Sequence, residues 1–300
     1  MDRAKRGRGK SLDLLVLEAF AHTYLCREVG QEKARSVGMP PMGAFDPWCT
    51  WIASELCGRF PATVVETASR LTVKAMRSGC LVVVGAGTSV DIDGRVIQSP
   101  CRVSLPEGQN VVVGAPTQGQ RTVLATPSGW LPPVPFGAAN CQPVVSGSKL
   151  VGFDEGSGCK DLRLDPSALL AGKMLRVVGE QSLPEDWTVQ ADSDRRGVRL
   201  VSDQLVEGPP GLAVSRPCFT GTCQLTPNGT LIVHGPDGPT IGGYAQVGQL
   251  IEADRKVLAQ LRPGDEVTIK RVTMEVALEA LLLHREEEHR WRRQIQIATR

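Results

Sequence analysis

Residues 235–248, GPDGPTIGGYAQVG, concentrate polar side chains and glycines that suit ligand binding, with no helical periodicity around them. Adjacent glycines let a backbone approach a ligand closely, because they carry no Cβ. Carboxylate, hydroxyl and phenol groups add hydrogen-bond donors and acceptors. The candidate substrate-binding residues of this run are Asp237, Thr240, Gly242, Gly243 and Tyr244.

The same residues also have structural interpretations. The glycine pair fits a turn or bulge inside a barrel, and Asp237 in GPDGP fits ordinary turn chemistry. Tyr244 fits either a phenolic donor in a pocket or an amphipathic residue in its wall. The sequence leaves both sets of interpretations open.

Two arginines form a second candidate group. In DRRGVRL, residues 194–200, Arg195 and Arg199 lie four positions apart. In a strand they would share one face, and their guanidinium groups could hold a carboxylate. The alternative is an ion pair with Asp192 or Asp194.

Asp46 is a further candidate, at the start of a predicted helix. It directly precedes Pro47 and the segment PWCTWIASEL. An aspartate followed by proline at the first helical position is typical of an N-cap. A carboxylate at a helix start can also face a binding site, so Asp46 stays among the candidates.

Several kinds of site are not predicted. The run LVVVGAG resembles the start of a dinucleotide loop, but Val90 stands at the third glycine position and a hairpin follows. The sequence has no GxxxxGK[ST], GxSxG or HExxH motif. His284 and His289 lie five apart, off one helix face, and the nine cysteines include no CxxC pair. We therefore predict no metal site and no disulfide framework, and we expect buried thiols.

The elements that must position these residues are mostly strands. Short apolar runs separated by turn residues lie at 80–87, 89–97, 109–116, 121–126, 229–235 and 265–272. Within 89–97 the apolar residues alternate around Asp93 and Gly94, which predicts a tight hairpin. Helical periodicity occurs at 47–59 and from Thr273, a candidate cap, to about 293.

Length and charge limit the choice of partners. A chain of 300 residues is long enough for two modest domains, and its net charge of +2 creates no overall attraction to nucleic acid or acidic membranes. Residues 1–14 begin with MDRAKRGRGK, which predicts a basic disordered tail. We find no export signal and no apolar run of the roughly 18 residues that a membrane helix needs. We expect a cytoplasmic protein with no nucleic-acid or membrane partner.

The glycine-rich run is part of a longer pattern. Residues 220–269 resemble the biotin-dependent carboxyltransferase family known as allophanate hydrolase subunit 2, which includes the C-subunit of 5-oxoprolinase and KipA-like proteins. Residues 27–46, 119–125 and 189–200 are similar to further motifs of that family. The resemblance covers roughly residues 15–280 and adds Gln224 to the substrate-binding candidates. Its main positions are Gly221, Gln224, Gly229, Asp237, Thr240, Gly242, Gly243, Tyr244, Asp254, Pro263, Gly264 and Asp265.

The departures from the family pattern fall on polar positions. Gln31 replaces an arginine, Met42 a serine, Arg216 a glutamate and Ile241 a threonine. Structural glycines are retained better than polar groups, which fits a retained scaffold with an altered or lost active site. The sequence identifies no catalytic residue.

The resemblance implies a mostly β fold of tandem cyclophilin-like β-barrels with a few helices, including a C-terminal helix. It predicts a first barrel at residues 15–172, and a second barrel plus the C-terminal helix at 173–300.

The resemblance implies a component like the C-subunit of an ATP-dependent 5-oxoprolinase, which opens the lactam of 5-oxoproline to glutamate. Its partners would be a protein like subunit 1 or the B-subunit (KipI-like) and a protein like the A-subunit. This chain alone would bind no cofactor, and ATP would act in the partner complex. The alternatives are a carboxyltransferase half-domain of the urea amidolyase type, which would require biotin, and a non-catalytic KipA-like regulator.

Overall fold

The computed structural model describes residues 12–27, 32–59, 61–132, 141–153, 159–169, 172–204, 206 and 214–299. Contacts divide the chain into two compact units. Unit 1 comprises Met1–Glu28, Trp48–Leu170 and Arg292–Arg300. Unit 2 comprises Val29–Pro47 and Ala171–Trp291.

Unit 1 is built from two mostly antiparallel sheets. In strand numbers, their orders are 11-13-1-4-9-6-7 and 12-2-3-10-5-8-14. The strands are β1 (Asp13–Ala19), β2 (Thr23–Arg27), β3 (Thr63–Thr67), β4 (Leu71–Arg77), β5 (Gly79–Gly85), β6 (Ser89–Ile92), β7 (Arg95–Gln98), β8 (Cys101–Leu105), β9 (Asn110–Val113), β10 (Thr122–Ala125), β11 (Trp130–Leu131), β12 (Cys141–Pro143), β13 (Lys149–Gly152) and β14 (Leu162–Arg163).

Alternating burial at the start of β1 contributes residues to the apolar core of unit 1. Leu12, Leu14 and Val16 are each 1% exposed, while the residues between them are half-buried. β1 therefore begins inside the predicted tail of residues 1–14, and the prediction is wrong for residues 12–14. The alternation of apolar residues that forms β1 already starts at residue 12. Residues 1–11 lie outside the described chain.

Unit 2 is a closed barrel, in the strand order 15-22-19-20-17-16-23, with a separate two-stranded sheet of β18 and β21. Leu175, Leu200, Cys223, Leu225, Leu231 and Val233 form the centre of its apolar core. The strands are β15 (Met174–Val178), β16 (Asp186–Val189), β17 (Gly197–Val201), β18 (Arg216–Pro217), β19 (Thr222–Leu225), β20 (Leu231–His234), β21 (Ile241–Gly242), β22 (Ala245–Leu250) and β23 (Glu266–Val272).

A turn of the same sequence type follows one strand in each unit. TPSG follows β10 and TPNG follows β19. In both, the glycine N–H donates to the threonine carbonyl, Gly129 to Thr126 at 2.9 Å and Gly229 to Thr226 at 3.0 Å. Both glycines have a positive φ, which few other residues adopt.

Three α-helices occur in the described residues: α1 (Pro47–Cys57), α2 (Arg255–Gln260) and α3 (Met274–Thr299). The Thr273 hydroxyl accepts the N–H of Val276 at 3.4 Å, in agreement with the predicted cap. Ala280 packs against Ile251 and Ala253, whereas Leu278 and other apolar residues in the first half of α3 are exposed. In the described part of the chain, no helix combines the length and apolarity that a membrane crossing requires.

The expectation that the cysteines are buried free thiols is wrong for one pair. Strands β12 and β2 run antiparallel with Cys141 opposite Cys26, and their sulfur atoms form a disulfide. The two cysteines are 115 positions apart, so sheet register rather than local spacing brings them together. Cys80, Cys101, Cys218 and Cys223 are buried thiols, as expected.

The predicted fold class is confirmed. The chain is mostly β, with tandem barrel-like units and a C-terminal helix.

Candidate functional site

Three segments that are distant in sequence meet in unit 2. The Met42 N–H donates to the Pro236 carbonyl at 3.0 Å. The Thr240 hydroxyl donates to the Gly38 carbonyl at 3.4 Å. Arg195 donates through Nη2 to the Gly43 carbonyl. The loop around residues 38–46, the turn before β17 and the 235–248 run therefore form one assembly.

A buried ion pair fixes the centre of this assembly. Arg195 donates through Nε and Nη2 to the two carboxylate oxygens of Asp237, at 2.8 and 2.9 Å. The exposed fractions of the two side chains are 8% and 17%. A bidentate pair with this geometry holds the GPDG turn against the chain at residue 195.

The sequence interpretation of Arg195 is corrected in two respects. Arg195 lies in the turn that precedes β17, so it does not share a strand face with Arg199. Its ion-pair partner is Asp237, which sequence reasoning considered only as a turn former or ligand-binding group. Arg199 pairs with Asp192 at 3.1 Å, and this agrees with the ion-pair alternative.

A cavity of about 860 Å³ opens beside this pair. Its wall includes six of the nine predicted candidates, namely Arg199, Gln224, Asp237, Gly242, Gly243 and Tyr244. The other three, Asp46, Arg195 and Thr240, are outside the lining. A second cavity, of about 760 Å³ around Trp187 and Glu266, contains no predicted candidate.

Gln224 is held at both ends of its amide. It lies in β19 and is 2% exposed. Its Nε2 donates to the Tyr244 carbonyl at 3.2 Å, and its Oε1 is 2.8 Å from Nε2 of His234. The backbone of Tyr244, in addition to its side chain, therefore shapes the site.

Gly242 allows this arrangement because it has no side chain. A Cβ at residue 242 would stand 2.5 Å from Gln224 Nε2 and 2.9 Å from Cys218 Sγ. At Gly243 the nearest atom to a Cβ would be Ser215 Oγ, at 3.7 Å, an ordinary contact. Gly242 is thus required by packing, whereas Gly243 is exposed and accessible.

His234 is a member of the site that sequence reasoning missed. It is the last residue of the apolar strand β20, immediately before the GPDG turn. This position is the sequence feature by which His234 could have been identified as a site residue. The side chain is 4% exposed, and burial with the nearby positive Arg199 lowers its pKa to about 4. His234 is therefore neutral at neutral pH. Its Nδ1 atom is buried and has no hydrogen-bond partner among the described residues.

Asp46 has a structural position in unit 2. It directly precedes α1 and is 1% exposed. Its carboxylate accepts a hydrogen bond from Gln260 Nε2. These contacts leave it away from the cavity.

Three of the four divergent positions lie close to the site without forming its wall, namely Met42, Arg216 and Ile241. Met42 has a φ of +56°, an uncommon conformation for a residue with a side chain. Arg216 pairs with Gly242 across β18 and β21, and Ile241 is 62% exposed. Gln31 lies outside the described residues.

Among the described residues, no group of three or more His, Cys, Asp or Glu side chains could hold a metal ion.

Comparisons with known proteins agree with this architecture. The C-subunit of 5-oxoprolinase from Escherichia coli K12 is 27% identical over 296 residues, covering 89% of this chain and 94% of that protein. The C-subunit of 5-oxoprolinase from Haemophilus influenzae is 34% identical over 103 residues, covering 34% of this chain and 32% of that protein.

A solved structure shares the fold. The Kluyveromyces lactis urea amidolyase superposes with a TM-score of 0.80 at 19% identity. The match covers 95% of this chain, but this chain spans only 20% of that protein. The likeness therefore shows the fold alone.

The sequence profile named carboxyltransferase domain, subdomain A and B, matches residues 37–148 and 172–271, which include the cavity and the segments around it. The chain therefore belongs to the carboxyltransferase domain family, subdomains A and B.

Proposed function

We propose that this chain is the counterpart of the C-subunit in an ATP-dependent 5-oxoprolinase, which hydrolyses the lactam of 5-oxoproline to glutamate. The observation that carries the proposal is the similarity to the Escherichia coli C-subunit over 94% of that protein's length. The cavity in unit 2 adds support, because it gathers residues from motifs that the sequence analysis assigned to substrate binding.

In the proposed site, charged and polar groups of this chain bind the anionic substrate. Arg199 is 28% exposed and lies in the cavity wall. Its contacts with Asp192 are made through Nε, so a substrate carboxylate can approach the rest of the guanidinium. Asp237 is neutralised by Arg195 and therefore repels an anion less than an unpaired carboxylate would. The proposed binding orients 5-oxoproline with its carboxylate toward Arg199.

Opening a lactam requires donors at the place where the carbonyl oxygen becomes negative. We assign this role to the backbone amides around Gly242 and Gly243, since both residues line the cavity and Gly243 is exposed. A Gly243→Val variant tests the assignment. We expect reduced turnover with normal complex formation, and wild-type activity would refute the placement.

Nucleotide chemistry is assigned to partner proteins, because this sequence contains no phosphate-binding loop. The test is co-expression of this chain with two proteins of its own organism, one like subunit 1 or the B-subunit and one like the A-subunit. After purification through a tag on this chain, ATP hydrolysis that depends on 5-oxoproline is measured. Turnover that disappears when this chain is omitted supports the proposal, and co-purification without turnover favours a KipA-like regulator.

A second candidate is carboxyl transfer from carboxybiotin, which the family name favours. It requires a biotinylated carrier and a carboxylase from other chains. Capture of a biotinylated carrier protein by this chain, together with bicarbonate-dependent turnover, would favour it over lactam hydrolysis.

A further inference from the structure

The Gln224 amide has a defined orientation, because one of its neighbours can only accept a hydrogen bond. The Tyr244 carbonyl has no proton to donate. The amide group that faces it at 3.2 Å must therefore be the NH₂ group of Gln224. A flipped amide would place two oxygen atoms against each other in a buried wall.

This orientation determines the tautomer of His234. With its NH₂ group toward Tyr244, Gln224 presents Oε1 to Nε2 of His234 at 2.8 Å. Nε2 must then carry the proton and donate, and Nδ1 must be unprotonated. The low pKa of His234 keeps this neutral form present at neutral pH.

Gln224 therefore presents a hydrogen-bond donor to the cavity. Oε1 is occupied by His234, and one NH₂ hydrogen is occupied by Tyr244. The second NH₂ hydrogen remains, beside Gly242, whose missing Cβ would otherwise stand 2.5 Å from this nitrogen. Arg196 and Arg199 add positive donors to the same wall.

We propose that His234 is a positioning residue whose Nε2–H holds Gln224 in the orientation that the Tyr244 carbonyl sets, so that Gln224 serves as a hydrogen-bond donor and this cavity selects ligands presenting a carboxylate or carbonyl oxygen. The inference extends the proposed function, since 5-oxoproline carries both groups. It predicts that the preference for acceptor ligands depends on His234 and Gln224, which the proposed function alone does not require.

The tautomer is measured directly on the full wild-type chain. Histidine is labelled with ¹⁵N, and the His234 resonances are assigned by comparison with a His234→Gln variant. We expect Nε2 protonated and Nδ1 unprotonated at pH 7. An Nδ1-protonated or a charged ring at that pH would overturn the inference.

Ligand selection is measured by calorimetry on the chain without partners. Glutarate is the acceptor-only probe and 1,5-diaminopentane is the donor-only probe. We expect glutarate to bind and diaminopentane not to bind. Equal affinity for both, or no binding of glutarate, overturns the ligand assignment.

Variants separate positioning from folding. We expect His234→Leu to weaken glutarate binding by about tenfold or more, because the amide is no longer held. Gln224→Glu, which replaces the donor by an acceptor, should weaken it at least as much. His289→Gln on the exposed part of α3 is the control and should bind normally. Unchanged glutarate affinity in a folded His234→Leu variant contradicts the positioning role, whatever the effect of Gln224→Glu.

The outcome is independent of turnover. A chain that binds glutarate selectively, with the expected tautomer, but supports no 5-oxoproline hydrolysis in its complex contradicts the proposed function and leaves this inference intact.

Discussion

The substitution Gly242→Ala tests whether the cavity wall is packed as tightly as the structure indicates. The added Cβ would lie 2.5 Å from Gln224 Nε2, 2.9 Å from Gln224 Oε1 and 2.9 Å from Cys218 Sγ. Ordinary contacts between such atoms are about 3.5 to 4.0 Å, so the overlap is about 1 Å. Gln224 cannot rotate away without losing its bonds to Tyr244 and His234.

The expected cost follows from these two effects. Overpacking of a rigid site costs about 1 to 3 kcal/mol, and a buried polar group left without a partner costs about 1 to 3 kcal/mol. Because the structure relieves the overlap by giving up some of the hydrogen bonding, we expect a total of about 2 to 3 kcal/mol. For a unit of this size, such a loss lowers Tm by about 8 to 12 °C.

The assay is differential scanning calorimetry with urea denaturation, and the neighbouring glycine supplies a matched control. Gly243→Ala adds the same methyl group where the nearest atom is 3.7 Å away, so we expect a change of about 0.5 kcal/mol or less. In a Gln224→Ala background, Gly242→Ala should cost less, because the main obstacle is gone. Equal effects of the two glycine substitutions would refute the packing argument.

Three further predictions concern pH, charge and redox state. The native pKa of His234, about 4, lies below its ordinary value of 6.5. The unfolded chain therefore gains a proton between these values while the native chain does not, and the free energy of unfolding falls as the pH drops from 6.5 to about 4. His234→Gln should abolish this loss of unfolding free energy, which amounts to up to about 3 kcal/mol. The measurement is urea denaturation at several pH values, and an identical pH profile for wild type and variant would contradict the low pKa of His234. Asp237→Asn leaves the buried Arg195 charge uncompensated and should cost about 3 to 5 kcal/mol, whereas Asp192→Asn at an exposed pair should cost under about 1 kcal/mol, and equal costs in urea would argue against a buried pair. A reducing agent should destabilise unit 1 by about 2 to 4 kcal/mol and leave unit 2 unchanged in calorimetry, and an unaffected unit 1 transition would contradict the disulfide.

Much of the local structure could be predicted from the sequence, because its causes are local. The alternation in residues 89–97 predicted a hairpin at Asp93 and Gly94, and β6 and β7 pair there, with both turn residues at positive φ. The apolar runs at 80–87 and 229–235 correspond to β5 and β20. Period-2 patterning and turn residues act over a few positions and need no long-range information.

The membership of the cavity could be predicted in part. Closely spaced glycines and polar residues indicated the 235–248 run, and six of the nine candidates line one cavity. His234 was missed, because a histidine at the end of an apolar strand has no distinctive spacing. Its role depends on the Gln224 amide, which the pairing of β19 with β20 places opposite Ile232 and diagonally beside His234, and on the burial that removes its charge.

The sequence by itself determined the strand and turn pattern, the start of α1 and α3, and the residues available for binding. Only the tertiary structure decided which of them meet. It paired Arg195 with Asp237 rather than with Asp192 or Asp194, and it joined Cys26 to Cys141 across 115 positions. Partners of this kind follow from strand register and barrel closure, which depend on the packing of the whole core rather than on neighbours in the chain.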